Sequence, residues 1–194
     1  MSLRRLDLEQ LPATPWKNGG GSTRQLAIFP EAAGLDDFAW RISCARMERD
    51  GAFSTYPGVD RSLALLHGDG LRLRRGDEAV LLQPCAPPLS FAGEEAISAE
   101  LLGAGIDDLN LMTRRGAWRQ QLQHLHLNGE LCLPNDAPVL LLWCNGGELE
   151  CELESGRTEQ LEPNQGLLLE DEKQLLRIRG TEQSCCYVGM LYPV

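Results

Sequence analysis

Short runs of Leu, Val, Ile and aromatic residues, each broken within a few positions by Gly, Asp, Asn or Pro, fill nearly the whole chain. No sustained helical period competes with them, and this punctuation calls for many short antiparallel strands. One series is expected near Leu3–Leu8, Ser22–Phe29, Phe38–Arg46, Arg61–His67, Gly70–Arg74, Ala79–Gln83, Ala96–Leu102 and Leu109–Thr113. A second follows near Trp118–Leu127, Leu131–Leu133, Val139–Cys144, Glu148–Leu153, Thr158–Leu161, Gly166–Leu169, Lys173–Arg179 and Cys185–Leu191. The two series echo each other. The strand, turn and strand around Gly68-Asp69-Gly70 are answered by those around Asn145-Gly146-Gly147. Gly68 to Gly146, Gly76 to Gly156 and Pro84 to Pro163 are offset by 78, 80 and 79 residues. A repeat of that length is too long for a solenoid and suits a duplicated β-sandwich or small barrel. The expected fold is therefore all-β, with one β-roll over residues 1–115 and another over 116–194, joined near Arg114–Trp118.

With 194 residues, 43% of them hydrophobic, the chain can bury a core without staples. Its seven cysteines are odd in number, scattered and never spaced C-x-x-C, so they read as small buried hydrophobes in a reducing compartment. No apolar run approaches the ~20 residues that span a bilayer, and the first residues lack a signal-type apolar stretch. A cytoplasmic protein with no membrane partner is expected. The net charge of −10 repels phosphate backbones and argues against nucleic acid as a partner. That charge is uneven: residues 1–115 carry 13 basic against 16 acidic side chains, residues 116–194 carry 5 against 12. An anion site belongs in the first part.

Three segments could carry chemistry. In Pro15-Trp16-Lys17-Asn18-Gly19-Gly20-Gly21-Ser22-Thr23-Arg24, consecutive glycines could let backbone N–H groups converge on an anion, flanked by Lys17 and Arg24; the alternative is a flexible loop before a strand. Lys17 is one of only two lysines. In Phe38–Ala45, strand alternation sends Arg41 and Ser43 to one face and Trp40, Ile42 and Cys44 to the core. If the Arg41 face lines an interior, the arginine needs an anionic partner, and so does Arg61, for which Asp60 is the obvious internal candidate. Third, His124 and His126 share a strand face, and with Glu130 they would make part of a metal site. The chain's remaining histidine, His67, lies in the other series, which leaves that ligand set incomplete, so no metal or cofactor is expected. Neither a G-x-S-x-G elbow nor a Cys beside a His supports nucleophilic catalysis. Asp107-Asp108 could hold a carboxylate of raised pKa or form an ordinary turn.

The segments Pro15–Arg24, Phe38–Ser43, Gly51–Arg61 and Asp108–Arg114 resemble the HutD/Ves family of bacterial bicupins. The Pro-Trp-Lys-Asn-Gly-Gly-Gly string is the most specific of them. The resemblance implies two RmlC-like jelly-roll barrels in one chain and a role in regulating histidine utilisation. It implies a small anionic metabolite such as urocanate or formylglutamate as ligand, and leaves a homodimer open. Carried over by position, the ligand-binding set is Lys17, Asn18, Arg24, Trp40, Arg41, Ser43, Phe53, Ser54 and Arg61, with no catalytic residue. The second lobe would be structural or an interaction surface. The rival reading is a cupin enzyme acting on a small organic acid, either metal-dependent through His124, His126 and Glu130 or metal-free.

Overall fold

The computed structural model describes residues 2–194, and among them the chain is all-β apart from a single 3-10 turn at Leu8–Gln10. The strands run β1 (Ser2–Asp7), β2 (Ala13–Pro15), β3 (Gly21–Phe29), β4 (Trp40–Met47), β5 (Gly51–Ala52) and β6 (Val59–His67). They continue with β7 (Leu71–Arg75), β8 (Glu78–Leu82), β9 (Leu89–Ala92), β10 (Ile97–Leu101), β11 (Ile106–Arg114) and β12 (Trp118–Asn135). The last are β13 (Val139–Gly146), β14 (Leu149–Glu152), β15 (Thr158–Leu161), β16 (Gln165–Glu170) and β17 (Gln174–Pro193). Among the described residues no helix is long and apolar enough to cross a membrane.

The chain divides into two compact units. One is Gln10–Gln120 with Val194; the other joins the residues up to Glu9 to Gln121–Pro193. The 115/116 division read from the repeat assigns the opening strand to the first series. In the structure β1 pairs antiparallel with β16, Ser2 opposite Glu170 and Asp7 opposite Gln165. That pairing joins residues some 160 apart, for which no local pattern exists. β12 and β17 run unbroken where the sequence pattern suggests two strands each, at Asn128-Gly129 and around Gly180. Gly129, at φ 104°, lies within β12 and supplies a backbone angle that L side chains rarely adopt.

In the unit Gln121–Pro193 with β1, the sheet order is β1-β16-β13-β17-β14-β15, with β12 also on β17. Its core is almost wholly aliphatic, including Leu140, Leu142, Leu149, Leu161, Leu167, Leu176 and Ile178. Cys144, Cys151 and Cys186 belong to this core as free thiols, and burial pushes each of them up to about 12. They behave as inert small hydrophobes. Three cysteines depart from that expectation: Cys132 lies exposed, and Cys85 and Cys185 are each disulfide-bonded.

The unit Gln10–Gln120 is a sandwich of a six-stranded sheet, β2-β3-β4-β11-β6-β9, and a four-stranded sheet, β5-β10-β7-β8. Met47, Leu63, Leu65, Phe91 and Ile106 from the first meet Leu71, Leu73, Leu82, Ile97 and Ala99 from the second in one buried cluster. Strand alternation keeps Arg61, Leu63 and Leu65 on one face of β6, and Arg41, Ser43, Ala45 and Met47 on one face of β4. The inward face of the large sheet is thus apolar at one end and polar at the other. The polar end is where a cavity opens.

The glycine string has a role different from an anion nest. Gly19 N–H donates to Trp16 O at 3.0 Å and Gly20 N–H to Asn18 Oδ1 at 3.0 Å, so the turn itself uses these donors. Gly21 sits opposite Met47 in the β3–β4 ladder, where an added Cβ would meet Arg46 O at 2.1 Å and the Trp16 ring at 3.0 Å. Gly21→Ala is expected to cost about 1–3 kcal/mol, read as a lowered Tm, because the β3–β4 backbones must part. Gly19→Ala meets no atom within 4 Å and bears only the penalty of its φ of 67°, about 1–2 kcal/mol.

Candidate functional site

The cavity has a volume of about 880 Å³ and lies wholly within the unit Gln10–Gln120. Its floor is built by alternate residues of three adjacent strands: Arg41 and Ser43 on β4, Asp108, Asn110 and Met112 on β11, and Arg61 on β6. The ladder sets Arg41 and Arg61 on either side of Met112, and Ser43 opposite Asn110. All six residues are buried. The rim is exposed and includes Lys17 and Asn18 from the glycine turn, together with Thr14, Leu35 and Ser54.

Arg61 is 4% exposed. It donates from Nη1 to Ser54 O at 3.0 Å and from Nε to Asn110 Oδ1 at 3.4 Å. Its guanidinium carbon stands 5.2, 5.5 and 5.0 Å from the ring centres of Phe53, Tyr56 and Phe91. Arg41, 8% exposed, donates from Nε to Gln25 Oε1 at 3.1 Å. Among the described residues neither arginine has a carboxylate within ion-pairing distance. Burial lowers the pKa of both, although each stays charged because a guanidinium titrates far above neutrality. Asp60, the obvious internal partner of Arg61, instead takes Arg115 at 2.8 Å, since adjacent strand residues face opposite ways.

Asp108 is the acidic member of the floor. It is 1% exposed, and burial raises its carboxyl to about 7; Arg61 opposes that rise and Asp107 adds to it. Asp107 faces away and bonds Arg46 at 3.0 Å. Of the two readings open for Asp107-Asp108, the structure has the raised carboxylate on a strand, not a turn.

Seven of the nine sequence-named residues line the cavity: Lys17, Asn18, Arg41, Ser43, Phe53, Ser54 and Arg61. Two do not. Arg24 lies between Thr23 and Gln25, which face the cavity, and it donates from Nε to Leu11 O at 3.2 Å on the outer side. Trp40 is buried on the face of β4 opposite the cavity, stacked on Phe29 at 5.9 Å and edge-on to Trp118 at 6.4 Å. That is the side strand alternation assigns it. The sequence set lacks Asp108, Asn110, Gln25 and Tyr56. The run Asp108-Leu109-Asn110-Leu111-Met112 carried the signal for the first two, as its alternation puts every second residue on one face.

The histidine pair is close, with ring centres 4.6 Å apart, but Glu130 is engaged elsewhere. Its carboxylate takes Arg179 at 2.8 Å and Arg177 at 3.6 Å. Glu150 and Glu152 are likewise held by Arg179, at 2.6 and 3.1 Å. The acidic second series is therefore partly neutralised from within.

Known proteins bear on this site. The sequence profile of the HutD family matches residues 8–186. An uncharacterized 21.2 kDa protein from the hutC 3′ region of Pseudomonas putida is 34% identical over 188 residues, covering 94% of this chain and 95% of its own. Protein Ves of Cronobacter sakazakii is 36% identical over 118 residues, 60% of this chain and 64% of its own. Among solved structures, a conserved protein of unknown function from Pseudomonas aeruginosa PAO1 superposes with a TM-score of 0.90 at 33% identity, over 99% of this chain and all of its own. HutD from Pseudomonas fluorescens SBW25, solved in a formate condition, gives 0.84 at 26% identity over the full length of both. A cupin 2 conserved barrel domain protein from Leptotrichia buccalis gives 0.65 at 8% identity over 98% of this chain and 97% of its own, a likeness of fold alone. The cupin-like β architecture and the end-to-end match to these relatives agree: the chain belongs to the HutD family.

Proposed function

We propose that this protein is a cytoplasmic bicupin that binds a small carboxylate and governs histidine utilisation by reporting its level, with urocanate or formylglutamate as the ligand. The observation that carries the reading is the pair of buried arginines, Arg41 and Arg61, which share the floor of one cavity and have no carboxylate among the described residues within ion-pairing distance. Keeping two such charges out of water is costly unless an anion joins them. The fluorescens relative's formate condition fits the same chemistry. The rim lysine, Lys17, adds a third positive charge along the entry path. Regulation then requires only that the liganded and empty states differ in affinity for a downstream partner.

Calorimetry against urocanate, formylglutamate and formate, with the primary amide of each as control, tests the reading. Saturable binding of at least one acid, abolished in its amide, is the expected result. Identical heats for acids and amides would refute it. Asp108 supports a second reading, metal-free turnover, because an acid poised near neutrality is a competent proton acceptor. Recovery of the ligand chemically unchanged after prolonged incubation separates binding from catalysis.

A further inference from the structure

Two positive groups on the cavity floor explain an anion; the acid beside them does not belong to that logic. Asp108 faces the cavity on the same side of β11 as Asn110 and Met112, and its Oδ1 is buried with no hydrogen-bond partner among the described residues. Arg61 donates to Ser54 and Asn110, Arg46 to Asp107 and the Trp16 indole to Thr23, and none of these hydrogen bonds reaches Asp108 Oδ1. A buried acceptor without a donor is destabilising. A plain carboxylate seated on the arginines would worsen matters by setting a second anion near the first.

Resting on the carboxylate reading above, we infer that the ligand carries an N–H donor for Asp108 besides the acid held by Arg41 and Arg61, so the site selects azole- or amide-bearing carboxylic acids over plain ones. Charge and hydrogen bonding are then complementary at both ends of one molecule. The aromatic wall of Phe53 and Tyr56 offers a surface for a flat azole or amide group between them. Asp108 thereby becomes a specificity residue, and Arg41 and Arg61 the affinity residues.

The test is calorimetry at pH 8 with urocanate and its furan isostere, in which ring oxygen replaces the N–H, on wild type and Asp108→Ala. Wild type should favour urocanate at least tenfold, about the effect of leaving one buried acceptor unpaired. In the variant the two acids should move in opposite directions: urocanate weakens as its acceptor disappears, and the furan acid tightens as the neighbouring negative charge is removed. A misfolded variant would weaken both, and the wild-type comparison then decides alone. Equal wild-type affinities, or a preference that survives in Asp108→Ala, overturn this inference and leave the carboxylate reading standing. Failure of wild type to bind urocanate, formylglutamate or the furan acid overturns both.

Discussion

Arg61→Leu should abolish carboxylate binding while leaving the empty protein about as heat-stable as before. The two halves of this expectation have separate causes. In the empty protein Arg61 is a buried charge with no carboxylate among the described residues within ion-pairing distance, held by a carbonyl, an amide oxygen and three aromatic rings. Leucine gives up those contacts and leaves Ser54 O without a donor, but it removes the desolvation penalty and fills apolar space between Phe53 and Phe91. The balance is small, within about 1 kcal/mol or a few degrees of Tm. With ligand present the comparison changes. Losing one partner of a buried charge pair costs about 2–5 kcal/mol, a thirtyfold to several-thousandfold loss of affinity. Thermal melts with ligand at a hundred times the wild-type Kd make the contrast visible: wild type gains about 2.7 kcal/mol, or roughly 5–10 °C, and the variant gains less than about 1 kcal/mol. A large drop in the empty variant's Tm with ligand stabilisation intact would instead make Arg61 a structural residue.

The site lies at the polar end of a sheet face whose other end is core, and this explains how much of it was legible. Alternation along Phe38–Ala45 put Arg41 and Ser43 on one face and Trp40 on the other, which is their arrangement. The same rule applied to Asp108–Met112 would have found the acid and the amide of the floor, but two adjacent aspartates also suit a turn. What the sequence hid was every fact depending on a distant partner. Arg61 has an aspartate as its neighbour, and only the direction of β6 shows that Asp60 serves Arg115. The glycine string has the composition of a nest, and only its hydrogen bonds reveal that the turn consumes its donors. β2 and β5, of three and two residues, are too short to carry a period at all. They exist because neighbouring strands supply their ladders.

Asp108→Asn is expected to stabilise the empty protein at neutral and alkaline pH, and that stabilisation should vanish in acid. Burial places the folded carboxyl at about 7, against a reference of 3.8 for an unconstrained aspartate. The folded state therefore holds a proton that the unfolded chain has released whenever the pH lies between those values. Stability falls as pH rises through this window, and the full penalty applies above it. Asparagine keeps the shape and has no charge to desolvate. The difference in stability between variant and wild type should thus be near zero at pH 4, grow up to about pH 7 and level off beyond, reaching on the order of a few kcal/mol, or roughly 5–10 °C in Tm. Subtracting the two pH–Tm profiles cancels every other titrating group. A flat difference would place the carboxyl back in the ordinary aspartate range, and a difference of opposite sign would mean that a donor already stabilises its charged form. A buried acid that weakens the empty fold persists most naturally where a guest relieves it, and for that reason ligand at saturation should narrow the gap between the two proteins.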